Sequence, residues 1–163
     1  MKNRFESLKT LKSEILDALG KSHEMRNKLA QLEPAKIDEN TSEKDLIAIA
    51  YYLSGLYSNF EDIFLKVAKE FENKVEEPAK WHAQLLNRMS LDIEDIRLAV
   101  ISQESRTCLD ELRKFCHTFR FSYAFELNWE KMLLAVKQWH RDSQIVYQDI
   151  QKFLDFLDKL AAE

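Results

Sequence analysis

The chain has 163 residues, a formal net charge of −4 and a hydrophobic fraction of 45%. This length and apolar content suffice for the core of one ordinary domain without disulfides or a structural metal. The acidic balance argues against sequence-independent binding of duplex nucleic acid, which usually needs a basic domain. Only two glycines and two prolines occur, so the turns of a many-stranded sheet are nearly missing and helices are the expected structure.

The first residues and the cysteines indicate a cytoplasmic protein that does not enter a membrane. The segment Met1-Lys2-Asn3-Arg4-Phe5-Glu6 has no apolar stretch after its basic residues, unlike a secretory signal. No run of about 18 apolar residues is present to span a membrane. Cys108 and Cys116 fall on one predicted helix, where a separation of about 12 Å prevents a disulfide, so we expect two reduced core thiols.

The first forty residues predict one amphipathic helix and a connection. From Phe5 to Leu32 the apolar positions recur mostly at three- and four-residue steps, as on one face of a helix. Pro34 ends this helix, and residues 37–40 form a polar connection. Such a helix either completes a bundle or contacts a partner protein, and the sequence leaves both alternatives open.

A second, strongly apolar helix follows the connection. Thr41 or Ser42 can cap it, and its apolar spacing continues as far as Phe71. We expect it to be the longest and most central helix, about 45 Å for thirty residues. Its apolar face is widened by tyrosines, at Tyr51, Tyr52 and Tyr57. Core or dimer contacts are the favoured role for these rings, and stacking of nucleic-acid bases is the alternative.

Three further helices are predicted in the second half of the chain. A short one begins near Trp81 and ends before Asp92, and residues 97–101 form an extended crossing segment. A fourth helix opens at Ser102 or Ser105 and runs to about residue 120.

The fifth helix completes the predicted architecture. Asn128 is a suitable cap for it, and its apolar stripe runs from Trp129 towards Leu160. The sequence therefore predicts a single all-α domain over residues 1–163, built as an up-down antiparallel bundle of about five helices. Residues 1–40 supply the first helix and connection, and residues 41–163 supply the rest of the bundle.

The predicted fourth helix has two distinct faces. At 100° per residue its core stripe consists of Cys108, Leu112, Phe115 and Phe119. About 110° to 170° away lie the basic residues Arg106, Arg113, His117 and Arg120. Arginine binds phosphate through paired donors and histidine transfers protons near neutral pH, so this face has the chemistry of a phosphodiester site. A solvated surface is the simpler interpretation, because Asp110 can pair with arginines one turn away.

Signatures of other functions are missing from the sequence. It has no glycine-rich phosphate loop, no Gly-x-Ser-x-Gly elbow and no Cys-x-x-Cys pair. No histidine has a glutamate three positions before it, so a ferritin-like metal centre is not expected, and no metal or cofactor is predicted. His82, beside Trp81, is a candidate active-site residue, although packing or capping is the simpler role.

Three stretches of the second half resemble a known family. They are Trp81-His82-x-x-Leu85-Leu86-x-x-Met89, then Arg97 with Ala99-Val100-Ile101-Ser102, then Leu109-Asp110-Glu111-Leu112-Arg113-Lys114-Phe115-x-His117-x-Phe119-Arg120-x-x-Tyr123-x-Phe125-Glu126-Leu127. This pattern is similar to that of the HepT-like proteins, helical ribonuclease toxins of the broader HEPN group. The resemblance covers roughly residues 49–157 and leaves the first forty unexplained.

The resemblance implies a homodimer whose paired helices form an RNA cleft, with cleavage that needs no metal. The family's active motif is Arg, four residues, His, one residue, Tyr, which falls here on Cys116, Phe121 and Tyr123. Cysteine and phenylalanine supply neither the cation nor the base that attack of a 2′-hydroxyl on phosphate requires. His117 and Arg120, three positions apart on one helix face, are the candidates to replace them, beside Arg106 and Arg113 as contacts to RNA phosphate.

The resemblance also implies a partner. In HepT-type systems a small nucleotidyltransferase antitoxin silences the toxin by adenylylating the motif tyrosine, which corresponds to Tyr123. An added anionic group there would repel phosphate and fill the cleft. Packing of Tyr123 beside Phe121 and Phe125 is the alternative. Three functions stay open: an RNA-cleaving toxin subunit, a non-catalytic subunit that keeps the dimer and the nucleotidyltransferase interface, and an unrelated helical adaptor.

Overall fold

The computed structural model describes residues 3–73, 81–121 and 127–162, without the side chains of Pro34, Arg120 and Phe121. The described chain forms five α-helices, which are α1 (Arg4–Gln31), α2 (Glu43–Phe71), α3 (Trp81–Met89), α4 (Gln103–Phe121) and α5 (Trp129–Ala162). A 3-10 turn at Pro34–Lys36 follows α1. The predicted all-α bundle of five helices is confirmed. None of the described helices is long and apolar enough to cross a membrane.

Side-chain caps fix the starts of three helices. Ser42 Oγ accepts a hydrogen bond from the backbone N–H of Asp45 at 3.1 Å, at the start of α2. Ser102 Oγ accepts from the N–H of Ser105 at 3.2 Å before α4, and Asn128 Oδ1 accepts from Lys131 at 3.1 Å before α5. Each cap satisfies one of the N–H groups that a helix start leaves without a partner. The alternatives Thr41 and Ser105 were wrong, since Ser105 lies inside the first turn of α4 and is fully buried.

Helix α2 is the central helix, but it is not the longest. It has 29 residues, whereas α5 has 34, because the apolar stripe of α5 continues without a proline or glycine to the end of the helix. The predicted order of lengths was therefore wrong. Leu53, Leu56 and Phe60 of α2 are each 0% exposed, and α2 packs against all four other helices.

Helix α1 completes the bundle. Leu11 and Ile15 join the common core, and Lys12 Nζ of α1 lies 2.6 Å from a carboxylate oxygen of Asp158 in α5. The hydroxyl of Ser22 is hydrogen-bonded to the phenol of Tyr147, also in α5. The N-terminal helix thus belongs to the same core as the rest of the described chain.

The connection between α3 and α4 is folded around a buried arginine, Arg97, which forms an antiparallel bridge with Ile93. Arg97 is only 3% exposed, and its Nε donates to Glu72 Oε1 at 2.8 Å. It also donates to the backbone carbonyls of Leu91 and Leu98 at 3.2 and 3.0 Å. The guanidinium of Arg97 therefore satisfies both the carbonyls of the turn and the carboxylate of Glu72 at the end of α2. These hydrogen bonds tie the connection to α2.

The start of α4 is anchored to α5 by a buried carboxylate. Asp149 Oδ2 accepts hydrogen bonds from the backbone N–H of Ser102 at 2.8 Å and from the hydroxyl of Ser105 at 2.6 Å. Burial by itself would raise the pKa of Asp149, but the hydrogen bonds from the two serines lower it overall. The negative charge is also favoured by the positive end of the α4 dipole.

We predict that Asp149→Asn weakens the fold by about 1–3 kcal/mol at pH 7, since it removes a charged acceptor from buried donors. Because the folded-state pKa of Asp149 lies below the unfolded value near 3.8, this contribution is present above that value and is lost as the pH falls through the folded pKa. Urea unfolding of both proteins should show a difference that shrinks from pH 7 towards pH ~3.

The matched control is Asp158→Asn, since Asp158 forms an exposed ion pair with Lys12. This variant should change the free energy of unfolding little at any pH. An Asp149→Asn difference that stays constant with pH would contradict the account of this carboxylate.

Candidate functional site

The buried face of α4 is rotated from the predicted one. Phe115 and Phe119 are only half-buried. The buried positions of the helix are instead Ser105, Cys108, Leu109, Leu112 and Cys116. The reason is that α4 packs between α2 and α5, so the residues that face either neighbour are buried, along an arc centred near Ser105 and Leu112.

This rotation moves the basic residues to a flank of α4. Relative to the centre of the buried arc, Arg106, Arg113 and His117 lie about 80° to 120° round the helix. Arg106 and Arg113 are half-buried, whereas His117 is exposed. These residues therefore do not point directly away from the core, and Arg106 contacts Asn87 of the neighbouring α3.

The two arginines are held by specific contacts. Arg106 Nε donates to Gln103 Oε1 at 2.9 Å, and its Nη1 lies 3.4 Å from Oδ1 of Asn87 in α3. Arg113 Nε donates to Asp110 Oδ1 at 2.8 Å. Burial by itself would raise the pKa of Asp110, but hydrogen bonds from Arg113 and Lys114 lower it overall. The pairing of Arg113 with Asp110 that is expected for a solvated face is present. This hydrogen bond uses only one of the five N–H donors of the guanidinium.

A second polar group lies between α2 and α3. Glu61 of α2 is 8% exposed, and its Oε2 lies 2.5 Å from Nδ1 of His82 in α3. The phenol of Tyr57 is also hydrogen-bonded to Glu61. Burial, followed by the charge of Glu61 and this hydrogen bond, raises the pKa of Tyr57 well above its usual range, so the phenol keeps its proton and donates it. The sequence singled out His82 but gave no sign of Glu61, which lies 21 positions away in the chain.

The two groups share one surface. The positive charge of Arg113 acts on the phenol of Tyr57, which in turn contacts Glu61, and Arg106 contacts Asn87 on α3. We call this surface the α3–α4 seam. It is formed by Arg106, Arg113 and His117 of α4 and by His82 and Asn87 of α3. The seam named in this way includes two cations, of which Arg106 contacts α3 directly, and two imidazoles.

Of the motif positions of the resemblance, Cys116 does not lie on this surface. Cys116 is 2% exposed, and its Sγ lies 3.9 Å from the backbone carbonyl of Leu53 in α2. Cys108 is also buried, which raises the pKa of its thiol to about 12, and both cysteines are free, as predicted. Tyr123 and the side chains of Arg120 and Phe121 fall outside the described residues. The roles predicted for Arg120 and Tyr123 stay predictions.

Other surfaces of the described chain offer less chemistry. A groove of about 620 Å³ runs between α4 and α5, and its ionisable lining includes Glu104, Glu111, Arg141 and Asp142 but no histidine. Arg141 is already paired with Asp142 at 2.7 Å. Within the described ranges, no group of three or more His, Cys, Asp or Glu side chains is placed to hold a metal ion.

Comparison with known proteins identifies the family. The model of a family described as HepT-like protein matches residues 48–157. The chain belongs to the HepT-like family. The match begins within α2, ends within α5 and includes all of α3 and α4. The α3–α4 seam of this HepT-like protein therefore lies inside the matched residues. No curated protein and no solved structure gives a match.

We predict that Cys116→Arg, which places arginine at the family's motif position, lowers the free energy of unfolding by about 3 kcal/mol or more. The guanidinium would have to enter the contact between α4 and α2, where overpacking and an unpaired charge are both unfavourable. Thr118→Arg is the control, because Thr118 is exposed on the same helix. Thermal unfolding of both variants measures the effect. Equal stability of the two variants would contradict the burial of position 116.

Proposed function

We propose that this HepT-like protein is the toxin subunit of a toxin–antitoxin pair and that it cleaves RNA at the α3–α4 seam without a metal ion. The supporting observation is the placement of Arg106, Arg113 and His117 along one flank of α4, where Arg106 contacts Asn87 of α3. This arrangement supplies cations and a proton-transferring group on one surface, which is what cleavage of a phosphodiester bond requires.

In this proposal Arg106 and Arg113 contact phosphate oxygens, and His117 and Arg120 serve the reacting group. Arginine suits this role because its planar donors match two phosphate oxygens at once. The net charge of −4 is compatible with a small basic site for single-stranded or looped RNA, since sequence-specific RNA recognition mostly targets unpaired regions. Extensive contact with a duplex would need a broader basic surface.

The family adds further elements to the proposal. The protein acts in the cytoplasm as a homodimer, and a nucleotidyltransferase antitoxin adenylylates Tyr123. Tyr123 follows Phe121, the last residue of α4, by two positions in the sequence, and its adenylylation adds an anionic group. Such a group would compete with RNA phosphate for the same cations.

A non-catalytic binding subunit is the second candidate function. The observation that favours it is the burial of Cys116, because the arginine position of the family motif now contributes to the core and supplies no cation to a cleft. In that case the dimer and the nucleotidyltransferase interface are kept and RNA cleavage is lost.

Cleavage of end-labelled total tRNA in the presence of EDTA tests the proposal. We expect the wild-type protein to cleave, and we expect the His117→Ala/Arg120→Ala variant to lose at least about a hundredfold in rate, the usual weight of a general acid or base. Arg141→Ala is the control, since Arg141 is an exposed cation on α5 paired with its neighbour, and it should cleave like the wild type.

The outcomes separate the two candidate functions. Cleavage by the wild type and by Arg141→Ala, but not by the double variant, would support a metal-independent ribonuclease at the α4 flank. No cleavage by a correctly folded wild-type protein would contradict the nuclease and leave the binding subunit as the function. Undiminished cleavage by the double variant would exclude His117 and Arg120 from the reaction.

A further inference from the structure

We propose that His82 is the general base of the RNA cleavage reaction and that Glu61 is the residue that positions it. This inference rests on the function proposed above and assigns the base to α3, outside the helix that carries the family motif. It follows from four features of the structure. The carboxylate of Glu61 is buried, it orients the imidazole of His82, and the ring of Trp81 stacks on that imidazole. Glu61 also links His82, through Tyr57, to the basic flank of α4.

The carboxylate of Glu61 is held in place from two directions. It is 8% exposed, it lies 2.5 Å from Nδ1 of His82, and it is hydrogen-bonded to the buried phenol of Tyr57. A buried carboxylate is costly unless donors satisfy it. Contacts from two helices therefore satisfy this buried carboxylate and fix its orientation.

This contact determines which nitrogen of His82 can accept a proton. Since Nδ1 faces a carboxylate, it carries the hydrogen, and the lone pair of the neutral ring is on Nε2. The side chain of His82 is 36% exposed, so part of the ring is open to a ligand while Nδ1 is held inside. The same relation between carboxylate and imidazole orients the base of a catalytic triad.

The ring of Trp81 restricts His82 further. The two ring centroids lie 3.6 Å apart with an angle of 28° between the planes. Stacking on one side and the Glu61 contact at Nδ1 leave the imidazole little freedom to rotate. A base that is already oriented loses less entropy when the reactive geometry forms.

His82 is connected to the phosphate-binding flank through few residues. Glu61 contacts both His82 and Tyr57, and the charge of Arg113 acts on the Tyr57 phenol. An RNA phosphate held by Arg113 would therefore lie near the part of α2 that holds His82.

The reaction is a transfer within the RNA chain. Nε2 of His82 takes the proton of a ribose 2′-hydroxyl, and the 2′-oxygen forms a bond to the adjacent phosphorus. The bond from phosphorus to the 5′-oxygen of the next nucleotide breaks, and His117 of α4 gives that oxygen a proton, after which exchange with water restores both imidazoles. The products are a 2′,3′-cyclic phosphate and a 5′-hydroxyl end, and no other reactant is consumed. Arg106 and Arg113 stabilise the charge on the non-bridging oxygens.

The test uses a tRNA whose cleavage position has been mapped with the wild-type protein. Single-turnover cleavage is measured in EDTA for His82→Ala, His82→Gln and Glu61→Gln. Binding is measured with the same RNA carrying a 2′-deoxyribose at the scissile position, which cannot react. His140→Ala is the control, since His140 is an exposed histidine on α5. His82→Gln keeps an N–H donor near Glu61 and guards against a variant that fails only by misfolding.

We expect both His82 variants to lose about a hundredfold or more in rate and Glu61→Gln to lose about tenfold or more, while affinity for the unreactive RNA stays within about twofold. Added imidazole should restore part of the activity of His82→Ala, because the small base can enter the space left by the ring. His140→Ala should cleave at the wild-type rate.

Each contrary outcome has a distinct meaning. If the wild type cleaves and the His82 variants cleave equally fast, the role of His82 is overturned while the proposed nuclease stands. If the variants lose rate and affinity together and imidazole restores nothing, the Glu61–His82 contact only holds α3 on α2, which also overturns the inference. If the folded wild-type protein does not cleave RNA, both this inference and the proposed nuclease are contradicted.

Discussion

Burial of α2 is the constraint on which the rest of the described structure depends. Each of the other four helices packs against it, and its central residues, such as Phe60 and Ile63, are fully buried. Two of its carboxylates are used inside the protein. Glu72 binds Arg97 and so holds the connection before α4, and Glu61 binds His82 and so holds α3. The helix that supplies the core therefore also places both sides of the α3–α4 seam.

The same packing explains what has happened to the family motif. Because α4 is seated on α2 and α5, position 116 faces the carbonyl of Leu53, and a small thiol fits where a guanidinium would not. The rotation that buries Cys116 brings Arg106 and Arg113 to the flank beside α3. Burial of Cys116 and the position of the basic flank are thus two consequences of one helix orientation, and they support the proposal of an RNA site displaced from the motif.

Features set by neighbouring residues were predictable from the sequence, whereas those set by contacts between helices were not. The caps Ser42 and Asn128 follow from local chemistry. Which face of α4 is buried does not follow from local chemistry. Leu109 and Cys116 belong to an apolar stripe that overlaps the predicted one, and only packing against the neighbouring helices decides between the two stripes. Glu61 gave no signal, since an acidic residue in an apolar stripe is recognisable as functional only when its partner His82 is known. The burial of Arg97 was not predicted for the same reason, because its partner Glu72, just after α2, is 25 positions away in the chain.

The most direct test of the central claim, that RNA binds along the α3–α4 seam, is hydrogen–deuterium exchange with and without an unreactive, 2′-deoxy-substituted tRNA fragment. The account predicts slower exchange in α3 and in α4, residues 81–89 and 103–121, with peptides from the α4–α5 groove around residues 141–148 unchanged. Protection confined to that groove or to α1, or no protection at RNA concentrations that saturate binding, would contradict it.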